Sequence, residues 1–153
     1  MTILDLRPPT RPAQRITNRI AAHGVDILRV CLGLIIAGFG VLKFFPGVSP
    51  AQPLVTRAVD LLTFGLISGQ PAMALTASVE CLVGMVLITG WLLRPGLILL
   101  AGCVLGWMSP LILFPADLFS GGGPTLEAQY ILKDIVLGAA GLVVAGKELS
   151  QAK

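Results

Sequence analysis

Ionisable side chains interrupt the long apolar stretches of this sequence. Glu80, Lys133 and Asp134 lie well inside such stretches, while Arg29 and Lys43 lie near the two ends of another. A charged side chain at the centre of a bilayer costs about 2.5–3.5 kcal/mol on insertion scales, so it faces other protein groups that can pair with it. Carboxylates and cations held together in a low dielectric can exchange a proton or bind a polar headgroup. These residues therefore predict a polar centre inside a helix bundle.

Depth along the helices predicts which charges pair. Glu80 and Lys133 lie eight and seven residues from the predicted outer starts of their helices, about 10–12 Å at 1.5 Å per residue. We expect a direct ion pair between them. Asp134 lies about 100° round the helix from Lys133, so the two cannot share one partner equally. Arg29, entering from the opposite side, is expected to reach toward Asp134.

Two stripes of residues at helical spacing are expected to face the polar centre. The first contains Arg29, Gly33, Ile36, Gly40 and Lys43, and the second contains Glu127, Tyr130, Asp134, Gly138 and Gly141. Small residues in a membrane helix allow a neighbouring helix to approach closely. We expect both stripes to converge with the helix face that carries Glu80. The candidate ligand-binding residues are Arg29, Lys43, Glu80, Glu127, Tyr130, Lys133 and Asp134.

Two interpretations of these charges remain open. They either pair with one another and fix the helix register, or they form a buried site for a proton, an anion or a polar headgroup. Nucleophilic catalysis and nucleotide binding have little support in the sequence, because no nucleophile with a base and no phosphate loop is present. No catalytic residue can be named. The three cysteines lie in apolar stretches without C-x-x-C spacing, and His23 is the single histidine. A metal site is therefore not expected, and bis-histidine haem is excluded.

The elements that position these charges are four apolar stretches long enough to cross a bilayer. Of 153 residues, 55% are apolar and 12% are charged, and the mean hydropathy is +0.88. Soluble domains contain about 25% charged residues, and a spanning helix needs about 20 apolar ones. The sequence predicts an all-α membrane protein, a bundle of four transmembrane helices. The predicted domain is 25–147, with spans at 25–45, 72–93, 96–114 and 126–145.

The segments outside the spans are expected to lie on membrane surfaces. Residues 1–24 form a basic cytoplasmic segment with Arg15 and Ile16 on different faces of an amphipathic helix that ends at Gly24, and a disordered basic tail is the alternative. Residues 148–153 form a cytoplasmic tail. On the extracytoplasmic side, Gln52-Pro53 opens an interfacial helix that lids the bundle. Pro110 either kinks the third span or ends it.

The distribution of basic residues predicts the orientation. One side of the four spans carries seven Lys and Arg residues, and the other carries Lys43 and Arg57. The positive-inside rule then places both termini in the cytoplasm. The net charge of +3 is too small and too scattered to indicate nucleic-acid binding. We therefore expect a multi-pass membrane protein, N-in and C-in.

Four stretches of the sequence resemble the DoxX family of small bacterial membrane proteins. They are RVCLGLIIAGFGVLKFFPG, which starts at Arg29, ASVECLVGMVLITG, which contains Glu80, SPLILFP, and PTLEAQYILKDIVL, which contains Lys133. The resemblance covers about residues 25 to 145. It implies a four-helix inner-membrane protein associated with redox reactions. Some relatives are a subunit of a thiosulfate:quinone oxidoreductase, and others hold oxidant-defence enzymes at the membrane.

The leading functional hypothesis is a membrane subunit or adaptor in a redox or oxidative-stress complex. Its polar centre would bind a quinone headgroup or a similar small polar ligand, with Lys133, Arg29 and Tyr130 making hydrogen bonds and Glu80 and Asp134 handling protons. Because no redox cofactor motif is present, any enzymatic role would be that of a subunit of a quinone-linked oxidoreductase. The expected partners are the lipid bilayer, proteins of that complex and further copies of the chain.

Two alternative functions belong to different classes. A small proton-coupled transporter would use the same charges, but four helices without an inverted repeat would need to oligomerise. A structural scaffold would need the charges only for helix register.

The predicted orientation is tested by labelling single cysteines with a membrane-impermeant thiol reagent. Cysteines that replace Arg11 and Ser150 are expected to react only from the cytoplasm, and those that replace Ser49 and Gly122 only from outside. Labelling at position 49 from the cytoplasmic side alone would overturn the four-span topology.

Overall fold

A computed structural model describes residues 11–150, and regular structure in this range is entirely helical. Its helices are α1 (Arg11–Leu42), α2 (Gln52–Leu62), α3 (Gly69–Thr89), α4 (Leu93–Leu113), α5 (Pro115–Leu118) and α6 (Leu126–Ser150), with a 3-10 turn at Ser120–Gly122. Four of them, α1, α3, α4 and α6, are long and apolar enough to cross a membrane. The predicted all-α membrane bundle with four long apolar helices is confirmed.

The four long helices form a ring in the order α1, α3, α4, α6. Helix α1 packs mainly on α3 and α6, and α4 packs on the same two helices, so α3 and α6 stand on a diagonal. A tight turn at Gly90 and Leu92, both with positive φ, reverses the chain between α3 and α4 and makes them antiparallel. Buried Leu32, Val83 and Leu100 hold α1, α3 and α4 together.

Ion pairs mark the two ends of the bundle. At the termini end, where α1 enters the bundle and α6 leaves it, Lys147 lies 2.8 Å from Asp26 and Arg94 lies 3.3 Å from Glu148. The opposite, loop end carries α2 and α5. There Arg57 of α2 lies 2.5 Å from Asp117.

Helix α2 covers the loop end of the bundle. It begins at Gln52, as predicted, with Pro53 in its first turn. Leu54 packs against buried Leu118 and Ile131. Ser49, just before this helix, is buried, so the exposed Ser120 is a better position for a labelled cysteine.

Helix α1 does not end at Gly24, so that part of the prediction was wrong. The helix runs through 32 residues, about 48 Å, and Gly24 lacks the positive φ of a glycine that ends a helix. A glycine inside a helix costs only about 1 kcal/mol relative to alanine, which is too little to break a long helix by itself. The predicted segment 1–24 is therefore helical from Arg11 and continuous with the first span. Its residues 1–10, and residues 151–153 of the predicted tail, lie outside the described range.

Pro110 lies inside α4 and does not end it. Pro110 has no N–H to donate to the carbonyl four residues earlier, but that carbonyl has another donor, and the helix continues to Leu113. That carbonyl belongs to Gly106, and the Ser109 hydroxyl donates to it at 2.7 Å. The neighbouring serine therefore satisfies the backbone group that proline leaves free.

Glycines bring α1 and α3 into close contact, as the predicted stripe on α1 required. A Cβ atom on Gly84 would lie 2.6 Å from the Cβ of Ala37 and 2.7 Å from the carbonyl oxygen of Gly33. One on Gly40 would lie 3.0 Å from the Cβ of Glu80. The two backbones therefore approach more closely than any larger residue at these positions would allow. We call this contact the α1–α3 seam.

Alanine at Gly84 is expected to destabilise the protein, because its methyl group has no space in the seam. Overpacking of this kind costs about 1–3 kcal/mol. Gly102 of α4 is the matched control, since nothing lies within 4 Å of a Cβ there. Thermal unfolding in detergent should show a lower midpoint for Gly84→Ala and an unchanged or higher one for Gly102→Ala. Equal midpoints for the two variants would contradict the close packing of the seam.

Candidate functional site

The polar centre of the bundle is formed by Lys43, Glu80 and Trp107. The Lys43 ammonium donates to Oε1 of Glu80, and the Trp107 indole Nε1 donates to the same oxygen at 2.8 Å. Glu80 is 1% exposed and Lys43 is 7% exposed. An ion pair is therefore enclosed by protein in the apolar part of the bundle.

The second carboxylate oxygen of Glu80 has no partner. Oε2 is fully buried, and no donor among residues 11–150 reaches it. Burying a polar atom without a hydrogen bond is costly, and the cost is larger for a charged group. Oε2 therefore lacks a hydrogen bond that a proton on the carboxylate, or a donor from outside the described part of the chain, would supply.

Local structure explains how three separate elements meet at Glu80. Lys43 follows the last residue of α1, in a turn in which its N–H donates to the Gly40 carbonyl at 3.1 Å. The absent side chain at Gly40 allows α1 to lie against Glu80, so the lysine reaches the carboxylate. Trp107 approaches from α4, with its ring against the apolar core.

The predicted ion pair between Glu80 and Lys133 is wrong. The Lys133 ammonium lies over the Tyr130 ring, 4.3 Å from its centroid, and 5.4 Å from that of Phe39. The reason is the ring order of the helices, which places α3 and α6 on a diagonal while Lys43 lies beside Glu80. Matched depth does not establish that two helices are neighbours.

Arg29 does not reach toward Asp134 as predicted. Its guanidinium donates to the Leu87 carbonyl and, at 3.3 Å, to the Ile88 carbonyl, and it packs against Gly90. The last carbonyls of a helix lack partners within the helix and attract a cation. Arg29 therefore caps α3 at the termini end of the bundle, away from Asp134.

The predicted stripe on α6 meets α4 rather than Glu80. Gly138 and Gly141 face Val104 and Leu100 of α4. Glu127, Tyr130 and Lys133 are exposed, and Asp134 is half-buried. Asp134 lies within electrostatic range of Glu80, Lys43 and Lys133, but it forms no ion pair with any residue that the structure describes. Of the seven predicted site residues, the structure thus joins Lys43 and Glu80 directly and brings Asp134 near them.

A comparison with known families assigns the chain. The DoxX family model matches residues 24–114, more than half of the sequence. The chain belongs to the DoxX family. The matched region contains Lys43, Glu80 and Trp107, whereas α6 and residues before 24 lie outside it. Neither a curated protein nor a solved structure matches the chain.

Trp107 is the residue of this DoxX protein's polar centre that the sequence analysis missed. A signal for it is present, because most membrane tryptophans lie in the interfacial belts and this one lies within a span. A buried indole N–H needs an acceptor, and few acceptors exist inside an apolar bundle. Among residues 11–150 no group of three His, Cys, Asp or Glu side chains is placed to hold a metal ion.

A double-mutant cycle in this DoxX protein should show that Glu80 couples to Lys43. Lys43→Met alone leaves a buried carboxylate without its cation, at a cost of roughly 3–5 kcal/mol, and adding Glu80→Gln should recover part of that loss. We expect a coupling energy of at least about 0.5 kcal/mol from unfolding in detergent. The control cycle combines Lys133→Met with Glu80→Gln and should be additive. Coupling to Lys133 but not to Lys43 would contradict the observed pairing.

Proposed function

We propose that this DoxX-family protein is a membrane subunit of a redox or oxidative-stress complex and that it binds a quinol headgroup at Glu80. The observation that carries the proposal is the buried, unpaired Oε2 of Glu80. A quinol hydroxyl would donate a hydrogen bond to this oxygen.

The depth of Glu80 restricts the kind of ligand. The residue follows the start of α3 by eleven positions, about 16 Å along the helix axis. A molecule that reaches this depth from the bilayer must itself dissolve in lipid, and a quinol combines an apolar tail with two hydroxyl groups. Family membership supports the redox setting, because the resemblance to the DoxX family implies relatives that include a subunit of a thiosulfate:quinone oxidoreductase.

Each residue of the site has a distinct role in this proposal. Glu80 accepts a hydrogen bond from the ring hydroxyl through Oε2 and is the group able to take up its proton. Lys43 pairs with Oε1 and leaves Oε2 for the ligand, and Trp107 donates to Oε1 and fixes the orientation of the carboxylate. Since the sequence carries no redox cofactor motif, this chain contributes the binding of the quinol, and the oxidant that would take its two electrons and its second proton belongs to a partner protein of the complex.

The proposed setting is the bacterial inner membrane, with the termini end in the cytoplasm. Most basic residues outside the spans lie at that end, in agreement with the positive-inside rule. The quinol site then lies near the middle of α3, eleven residues from its extracytoplasmic start and nine from its cytoplasmic end. A purely structural function is the second candidate, and the mutual neutralisation of Lys43 and Glu80 favours it. That function gives no account of the unpaired oxygen.

Trp107 provides a direct measurement of ligand binding. The chain has two tryptophans, and Trp91 is exposed at the α3–α4 turn, so Trp91→Phe leaves Trp107 as the only indole. Titration of this variant in detergent with a short-chain quinol should quench its fluorescence saturably. Adding Glu80→Gln should weaken binding about tenfold or more, as expected for the loss of a hydrogen bond to a charged group.

Glu148→Gln is the matched control for this titration. Glu148 is a carboxylate paired with Arg94 at the other end of the bundle, so its loss should leave quinol affinity unchanged. Absence of saturable quenching, or equal affinity with and without Glu80→Gln, would refute the quinol site and favour the structural function.

A further inference from the structure

The first part of α1 extends beyond the helix bundle. Every side chain from Gln14 to His23 is exposed, whereas buried positions recur from Leu32 onward. Residues 11–23 would extend about 20 Å as a helix. They also precede residue 24, where the DoxX match begins. This segment, which we call the N-terminal extension, is therefore separate from both the family domain and the polar centre.

The N-terminal extension has adjoining apolar and basic faces. Ile16 and Ile20 share one face and are 60% and 62% exposed. Arg15 and Arg19 lie beside them, at about 100° per residue round the helix. Asn18 lies on the opposite face. From residue 11 to residue 25 the sequence contains no acidic side chain.

We propose that the N-terminal extension lies on an anionic lipid surface at the termini end of the bundle. Ile16 and Ile20 enter the boundary between headgroups and acyl chains, and the arginines bind lipid phosphates. A helix with basic residues beside a narrow apolar face is typical of segments that bind in the plane of the interface. Long arginine side chains reach the headgroups while the residues beside them are immersed.

Because α1 continues through Gly24 in the structure, lying on the surface requires a bend that lipid binding would induce, and Gly24 is the residue at which it would form. The apolar helix Gln14–Leu42 has 29 residues, about 44 Å, which exceeds the roughly 30 Å of a hydrocarbon core, so a straight α1 would carry Ile16 and Ile20 beyond that core. Gly24 lies between the extension and the bundle, and nothing lies within 4 Å of a Cβ at this position. Neighbouring side chains therefore do not oppose a bend there, and glycine has the weakest preference for continuing a helix apart from proline.

Two features favour lipid over a protein partner. The first is the basic charge, which complements the anionic phosphates of the adjoining leaflet. The second is the covalent link to a transmembrane helix, which holds the extension beside that leaflet at all times. The inference is independent of the quinol proposal, because it involves the opposite end of the bundle.

Site-specific fluorescence of the full-length protein tests the inference. An environment-sensitive dye is attached to Ile16→Cys or, as the matched control, to Asn18→Cys, with dye reaction at the native cysteines subtracted by using the unsubstituted chain. In nanodiscs with about one phosphatidylglycerol in three lipids, the dye at position 16 should emit at shorter wavelength and be several-fold less quenched by acrylamide than the dye at position 18.

Charge and lipid composition provide the remaining comparisons. Arg15→Gln with Arg19→Gln, or nanodiscs of phosphatidylcholine alone, should reduce the difference between positions 16 and 18. These residues are exposed, so the substitutions should leave the bundle folded. Equal quenching at both positions in every lipid would overturn the inference. Protection of position 16 that arises only after a soluble protein is added would also overturn it and assign the extension to a protein partner.

Discussion

A carboxylate enclosed in an apolar helix bundle needs donors, and the arrangement of three helices around Glu80 supplies them. Lys43 and Trp107 donate to the same oxygen from different elements. Because the apolar layer offers no other donors at that depth, the end of α1 and the turn of α4 that carries Trp107 are constrained to stay near the middle of α3. The desolvation of the two charges also costs free energy, which offsets much of the stabilisation from their attraction. Its contribution is therefore greater to the relative placement of helices than to net stability.

The close packing of the α1–α3 seam allows Lys43 to lie beside Glu80. Gly33 and Gly84 let the two backbones meet, and Gly40 places the end of α1 directly beside Glu80. Lipid tails are as apolar as the helix surfaces, so association depends on close packing rather than on the exclusion of water. The seam and the ion pair thus support each other: close packing positions the lysine, and the lysine opposes sliding of α1 along α3.

The sequence predicts the spans well because lipid leaves the backbone few choices. Every N–H and C=O in the apolar layer must be paired within the chain, so a long apolar stretch there becomes a helix. Hydropathy therefore indicates long helices in the regions of α3, α4 and α6, although their bounds differ by up to five residues from the predicted spans, and the spacing of the glycines on α1 indicates a close contact there. The burial of Glu80 and Lys43 also followed from their positions inside or beside apolar stretches.

Pairing could not be predicted in the same way. Depth along each helix is encoded locally, whereas the order of helices round the ring depends on packing between distant segments. Matched depth therefore predicts a partner for Glu80 on α6, whereas the observed partner, Lys43, directly follows the adjacent helix α1. Sequence reasoning pairs Arg29 with a carboxylate, because the free carbonyls at the end of a helix do not correspond to any residue type. The interaction of Trp107 with Glu80 was missed for a related reason, since an indole donor is easily counted as apolar.

The fit of the seam also limits how its sequence can change over time. Gly84 meets both Ala37 and Gly33, so a larger residue at any one of these three positions requires a smaller one, or a shifted backbone, at another. A shift of the backbone would displace Lys43 from Glu80. Substitutions at positions 33, 37 and 84 are therefore expected to be correlated among relatives, because only combinations that keep Lys43 beside Glu80 preserve the buried ion pair.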